Sequence, residues 1–253
     1  MTKPYLEISA FDRLSDVRAK LKRAKEHVTE LDREVTSFIE SKPYLIKRQL
    51  HLQRQDFVVY WIHSTRPIPS AITTRAGDAL ANIRGALDNL AHALVVVNGQ
   101  TPRKQTYFPI SDDESKYKSE APGKVKGMSE AATKMIDSCM PYKAGNVRLW
   151  QLHKLNNIHK HNTSLSVGMF LEGISAPTFH LLSPTNNIGK ILKSGDNLTW
   201  FPVKLDTDEF LEFTFQVSLN EPSIISECEP VGETVTDMLA LVTRLVNQFK
   251  PIL

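Results

Sequence analysis

Cysteine is almost missing from this chain: two occur in 253 residues, Cys139 and Cys228, far apart and without partners at metal-ligand spacing. That excludes a disulfide framework and a cysteine-based zinc site, and leaves two free thiols expected to be buried. Long apolar runs are also lacking. The longest, around Phe57 to Ile62 and Ala93 to Val97, fall far short of the ~20 residues a membrane-spanning helix needs. No N-terminal stretch resembles a signal peptide, so the expectation is a soluble, cytoplasmic protein with no membrane partner. There is no Gly-rich phosphate loop, no Gly-x-Ser-x-Gly and no His-Glu-x-x-His. Nucleotide-cradling loops, nucleophile-elbow hydrolases and zincins are thereby set aside.

What is present is a chain with 41% apolar residues, enough for a sizeable core, and a charge that is unevenly spread. Residues 1–161 carry 26 Lys+Arg against 17 Asp+Glu, whereas 162–253 carry 5 against 11. A basic first part is compatible with a polyanionic partner such as RNA, since clustered cations release counterions from phosphate. Lysines placed for solubility give the same count.

Periodicity predicts an α+β fold. Leu14, Val17, Leu21, Ala24, Val28, Leu31, Val35 and Phe38 alternate spacings of three and four, which predicts a long amphipathic helix within 12–42, stopped near Pro43. A second stripe from Ile72 to Val97 predicts a helix over 70–98, with Asn98-Gly99 as its stop. Between them, 44–52 and 57–63 read as a β-hairpin. The stretch 101–127, rich in Pro, Ser, Lys and paired acids, reads as a long loop able to act as a lid or binding surface. Helices are expected over 129–139 and 148–162, and a closing helix over 233–250. From 163 to 229 the period changes to two, in SLSVGMFL, TFHLLS, KILK, LTWFPVKL and FLEFTFQVSL, which predicts one antiparallel sheet following the helical core in a single domain. An unpaired stripe on the first helix would also suit a homodimer.

Two polar ladders are the candidates for chemistry. On the Ser70 helix Arg84, Asp88 and His92 step by four, so Asp88 can pair with both neighbours and orient an imidazole. A solvated salt-bridge ladder reads the same way. On RLWQLHKLNNIHKHN, at ~100° per residue, His153, Lys154, Asn156, Asn157, Lys160 and His161 share one side while Leu149, Leu152, Leu155 and Ile158 take the other.

LANIRGALDNLAHAL followed by LWQLHKLNNIHKH resembles a motif pair, LRxxLDxLAxxL and LNxIxKH, of uncharacterised bacterial proteins. More loosely, a helical bundle bearing a polar Arg/Asn/His helix resembles the HEPN superfamily, whose ribonucleases carry Arg-x(4–6)-His, often as Arg-Asn-x3-His. Here Arg148-x4-His153 has that spacing, and Asn156 stands where the tighter Asn-x3-His version has Arg. The resemblance implies metal-independent RNA cleavage without a cofactor. His161, then His92 and His153, would be acid or base, Asn157 and Asp88 would orient, and Lys160, Arg84, Lys154 and Arg148 would hold phosphate. Two other classes stay open: a non-catalytic module binding protein, RNA or a small ligand through 101–127 and the polar face, and a hydrolase whose metal is held by His153, His161, His92 and Asp88.

Overall fold

A computed structural model describes residues 13–161, 165–175, 190–203, 211–225 and 228–253. Their order is α1 (Ser15–Glu40), β1 (Tyr44–Leu50), β2 (Phe57–Thr65), α2 (Ser70–Val97), α3 (Glu114–Lys124), α4 (Glu130–Ser138), α5 (Val147–Lys160), β3 (Val167–Ser175), β4 (Asn197–Pro202), β5 (Glu212–Leu219) and α6 (Val231–Phe249). This is the expected α+β class. Among the described residues no helix is long and apolar enough to cross a membrane. Two compact units arise, each from separated segments: one from Met1–Glu30, Arg75–Ser164 and Thr234–Leu253, the other from Leu31–Thr74 and Leu165–Glu233.

The helices follow the apolar periodicity. Of the expected stripe along α1, Leu14 just before it and Val17, Ala24, Val28, Leu31 and Phe38 within it are buried, while Leu21 and Val35 are half-buried. Helix α2 is buried on more than one stripe, because Ala86, Ala91 and Val95 go inside along with the predicted stripe from Ile72 to Leu94, Val97 at its end being half-buried. It stops where Asn98-Gly99 predicts. Gly99 takes φ +70, and the amides of Gly99 and Gln100 donate to the carbonyls of Val96 and Val95 at 3.0 and 3.1 Å, satisfying groups the helix end leaves open. Within the first unit α2 also approaches α5 closely at Gly77. A Cβ there would run into the ring of His159, so only glycine leaves room.

Two expectations need correction. The 101–127 stretch holds helix α3 rather than an extended loop. Its N-cap is Asp113, whose side chain accepts from the Lys116 amide at 2.8 Å. Pairs at i,i+4, Asp112 with Lys116, Glu114 with Lys118 and Glu120 with Lys124, support its flank, while Tyr117 and Ala121 are buried beneath. These local bonds outweigh Pro122, which sits inside the helix near its end.

The 163–229 strands likewise do not form one sheet. Strand β4 pairs with β2, giving the order β1-β2-β4, and β3 pairs with β5 in a separate two-stranded sheet. The reason lies in β2, whose Val58, Val59 and Ile62 are all buried: a near-continuous apolar strand belongs inside a sheet, with a neighbour on each edge. Alternation marks a strand but does not name its partner. Of the shorter runs, KILK contributes an isolated bridge, Ile191 to Phe170, and TFHLLS lies outside the described residues. The second unit's core gathers Ile62, Met169, Leu171, Leu192, Leu198 and Phe215.

Candidate functional site

The ladder on α2 runs from the inside outward, with Arg84 buried, Asp88 half-buried and His92 exposed. The Arg84 guanidinium donates to Asp88 Oδ1 at 2.5 Å and to the carbonyl of Phe108 at 2.8 Å. The same Asp88 oxygen accepts from the Phe108 amide at 3.2 Å. One turn on, His92 Nε2 lies 3.0 Å from the Thr106 carbonyl, a geometry that requires the proton on Nε2. Thr106 and Phe108 are themselves fully buried. The three ladder side chains are thus spent on the backbone of 106–108.

Helix α5 grips the same segment from its other end. Lys154 Nζ reaches Asp112 Oδ1 at 2.6 Å, the Trp150 indole donates to that oxygen at 3.0 Å, and Lys116 stands 3.3 Å from Oδ2. Lys154 foremost, then Trp150 and Lys116, hold the Asp112 carboxyl well below the usual carboxylate range. Arg148, placed among the phosphate-binding candidates, donates to Gln151 at 3.0 Å and lies 3.9 Å from Asp237.

The imidazoles occupy different environments. His153 is partly buried, and Nε2 sits 3.2 Å from the Asn157 amide nitrogen, so it accepts and the proton rests on Nδ1, a buried atom without a hydrogen-bond partner among the described residues. Burial above all, then the cations of Arg84, Lys124 and Lys154, push its pKa down to about 4. His161 lies eight residues further, ~12 Å along the axis, exposed at the C-cap of α5 beside exposed Lys160. Arg84, Asp88, Lys154 and the His153–Asn157 pair therefore fall in one region, with His92 one turn further along α2 on the same 106–108 segment, whereas His161 and Lys160 stand at the exposed end of α5 and Arg148 is engaged with Gln151 and Asp237. Asn156, expected on the polar side, is buried instead, its Oδ1 lacking a partner among the described residues. His159, not singled out from sequence, rests over Gly77 with Nε2 3.6 Å from Asp78.

Among the described residues no three His, Cys, Asp or Glu gather where they could hold a metal ion. Both cysteines are free and half-buried, and burial pushes the Cys139 thiol up to about 11.

The segment held by these ladders leads into α3, and beside it opens a cleft of about 660 Å³ lined by residues of α3, α4 and their connection. Buried Tyr117, Ala121, Val125 and Met128 form its apolar wall, and Thr133 and Asp137 supply polar groups. The size and the mixture are those of a small-molecule site. A second hollow, about 530 Å³, lies where Lys104, Tyr107, Glu120 and Lys124 meet, with Tyr107 46% exposed. Sequence reading missed Asp112, Trp150, Tyr117 and Asp137 as members of any site. Only the unusual density of Lys and acids in 101–127 pointed to the region.

No protein-family profile, curated protein or solved structure matches this chain.

Proposed function

We propose that the protein is a non-catalytic binding module whose working surface is the 101–127 segment and whose α3–α4 cleft receives a small ligand. One observation carries this reading. The side chains best suited to chemistry, Arg84, Asp88 and Lys154, direct their hydrogen bonds at the backbone and carboxylate of 106–112. Such bonds preorganise a binding surface, which lowers the ordering cost of taking a ligand. They also occupy Arg84 and Lys154, two of the four cations that would otherwise meet a scissile phosphate.

In a fragment screen of the intact chain followed by methyl NMR, hits should move the Val125 and Met128 methyl signals together. Binders at millimolar to micromolar strength are the expected class for fragments in a cleft of this size. Hits that leave both methyls unmoved, or no hits, would overturn the reading.

RNA binding, with metal-independent cleavage as the HEPN resemblance implies, is the second reading. It is favoured by exposed Tyr107 sharing a hollow with Lys104 and Lys124, since an aromatic face beside cations is how single strands are held. Cellular RNA degraded in EDTA by the wild-type protein, and spared by His161→Ala, would replace the first reading with this one.

A further inference from the structure

Two hydroxyl groups of the α3–α4 cleft, those of Tyr117 and Thr133, have already committed their protons. Tyr117 donates its hydroxyl hydrogen to Asp137 Oδ1 at 2.6 Å, and Thr133 donates its own to the Ser129 carbonyl at 3.1 Å. Burial, and then the Asp137 carboxylate, push the Tyr117 phenol above its ordinary range, so the donor keeps its proton and the direction of that bond is fixed. A carboxylate offers acceptors only. What these groups retain for a ligand is lone pairs: the second oxygen of Asp137, which is exposed, the phenol oxygen of Tyr117 and the hydroxyl oxygen of half-buried Thr133.

The surroundings agree with a donor that is also a cation. The rings of Tyr117 and Tyr142 lie 5.9 Å apart and tilted by 47°, and aromatic faces attract cations. The Tyr142 hydroxyl can turn to accept as well as to donate. At the rim Lys118 is matched by Glu114 at 2.6 Å, and Lys126 is exposed, where solvent and salt screen it. Val125 and Met128 supply a surface for an apolar body.

We infer that the cleft takes a primary ammonium carried on an apolar body, with the cation at Asp137 and the tyrosine rings and the apolar part against Val125 and Met128. This rests on the cleft being the ligand site. Such an ammonium comes either from a free amine or from a lysine side chain of a peptide.

Three probes separate the possibilities when titrated into the intact protein and followed at the Met128 methyl: 2-phenylethylamine, its neutral counterpart 2-phenylethanol, and Nα-acetyl-lysine methylamide. The amine should bind about tenfold or more tighter than the alcohol, as a charge-assisted hydrogen bond requires. Asp137→Asn, which keeps an acceptor for Tyr117, should bring amine and alcohol level without weakening the alcohol. Thr133→Val should weaken the amine about threefold, the scale of one lost neutral acceptor. A lysine derivative that outbinds phenylethylamine assigns a peptide source, and the reverse order assigns a free amine. Equal binding of amine and alcohol by the wild-type protein would overturn the ammonium while leaving the cleft a ligand site. Failure of all three probes at Met128 would remove the ammonium, and silence throughout the fragment screen would remove the cleft as well.

Discussion

Arg84→Met should destabilise the protein by about 3–5 kcal/mol, read as a lowered urea midpoint at neutral pH. The substitution keeps most of the side chain's volume but strands two groups. The Phe108 carbonyl loses its donor, and Asp88 keeps a largely covered carboxylate that has lost its cation and retains the bond from the Phe108 amide. Arg84→Lys should cost less, about 1–2 kcal/mol, because one ammonium keeps the charge but cannot bridge Asp88 and the carbonyl as a planar fork does. Removing both charges together, in Arg84→Met with Asp88→Leu, should recover part of the loss, since an unpaired buried charge costs more than an absent pair. A solvent-exposed ladder would give a few tenths of a kcal/mol for any of these changes.

Acid should weaken the fold through His153 first. Its folded pKa, about 4, lies below the ordinary 6.5. Between those values the unfolded chain takes up a proton that the native state declines. Stability is therefore intact above about pH 6.5 and falls as the pH descends to about 4, by roughly 2–3 kcal/mol once partial exposure is allowed for. Replacing the residue, as in His153→Gln, should flatten the denaturation profile across that window. Asp112 acts lower. Its carboxyl is held below the ordinary 3.8, so its contribution is present above that value and lost beneath it. Unchanged slopes between pH 6.5 and 4 in the wild type and the variant would show that His153 is not held neutral by its surroundings.

The long helices were legible because burial repeats along them every three or four residues, and the stop of α2 because Gly99 supplies the one conformation its end needs. The β-hairpin was legible from strand residues on either side of a polar turn. Helix α3 was hidden, since its apolar content is confined to Tyr117, Ala121 and their few neighbours and its support comes from capping and ion pairs. The partner of β4 was also hidden, because register and pairing depend on what β2 needs on its open edge. At the candidate site, the spacing of Arg84, Asp88 and His92 was plain, but the targets of those side chains lie 14 to 24 residues downstream in backbone groups that carry no sequence signature. Asp112, 38 residues before its Trp150 partner, was beyond reach for the same reason.

Native-state hydrogen exchange at the Phe108 amide bears most directly on whether the ladders of α2 and α5 hold the 101–127 surface in place. That amide, bonded to Asp88, should exchange as slowly as the buried amides of α2 in the wild type and far faster in Arg84→Met. Exchange of Phe108 at the rate of an unprotected loop in the wild-type protein would contradict it.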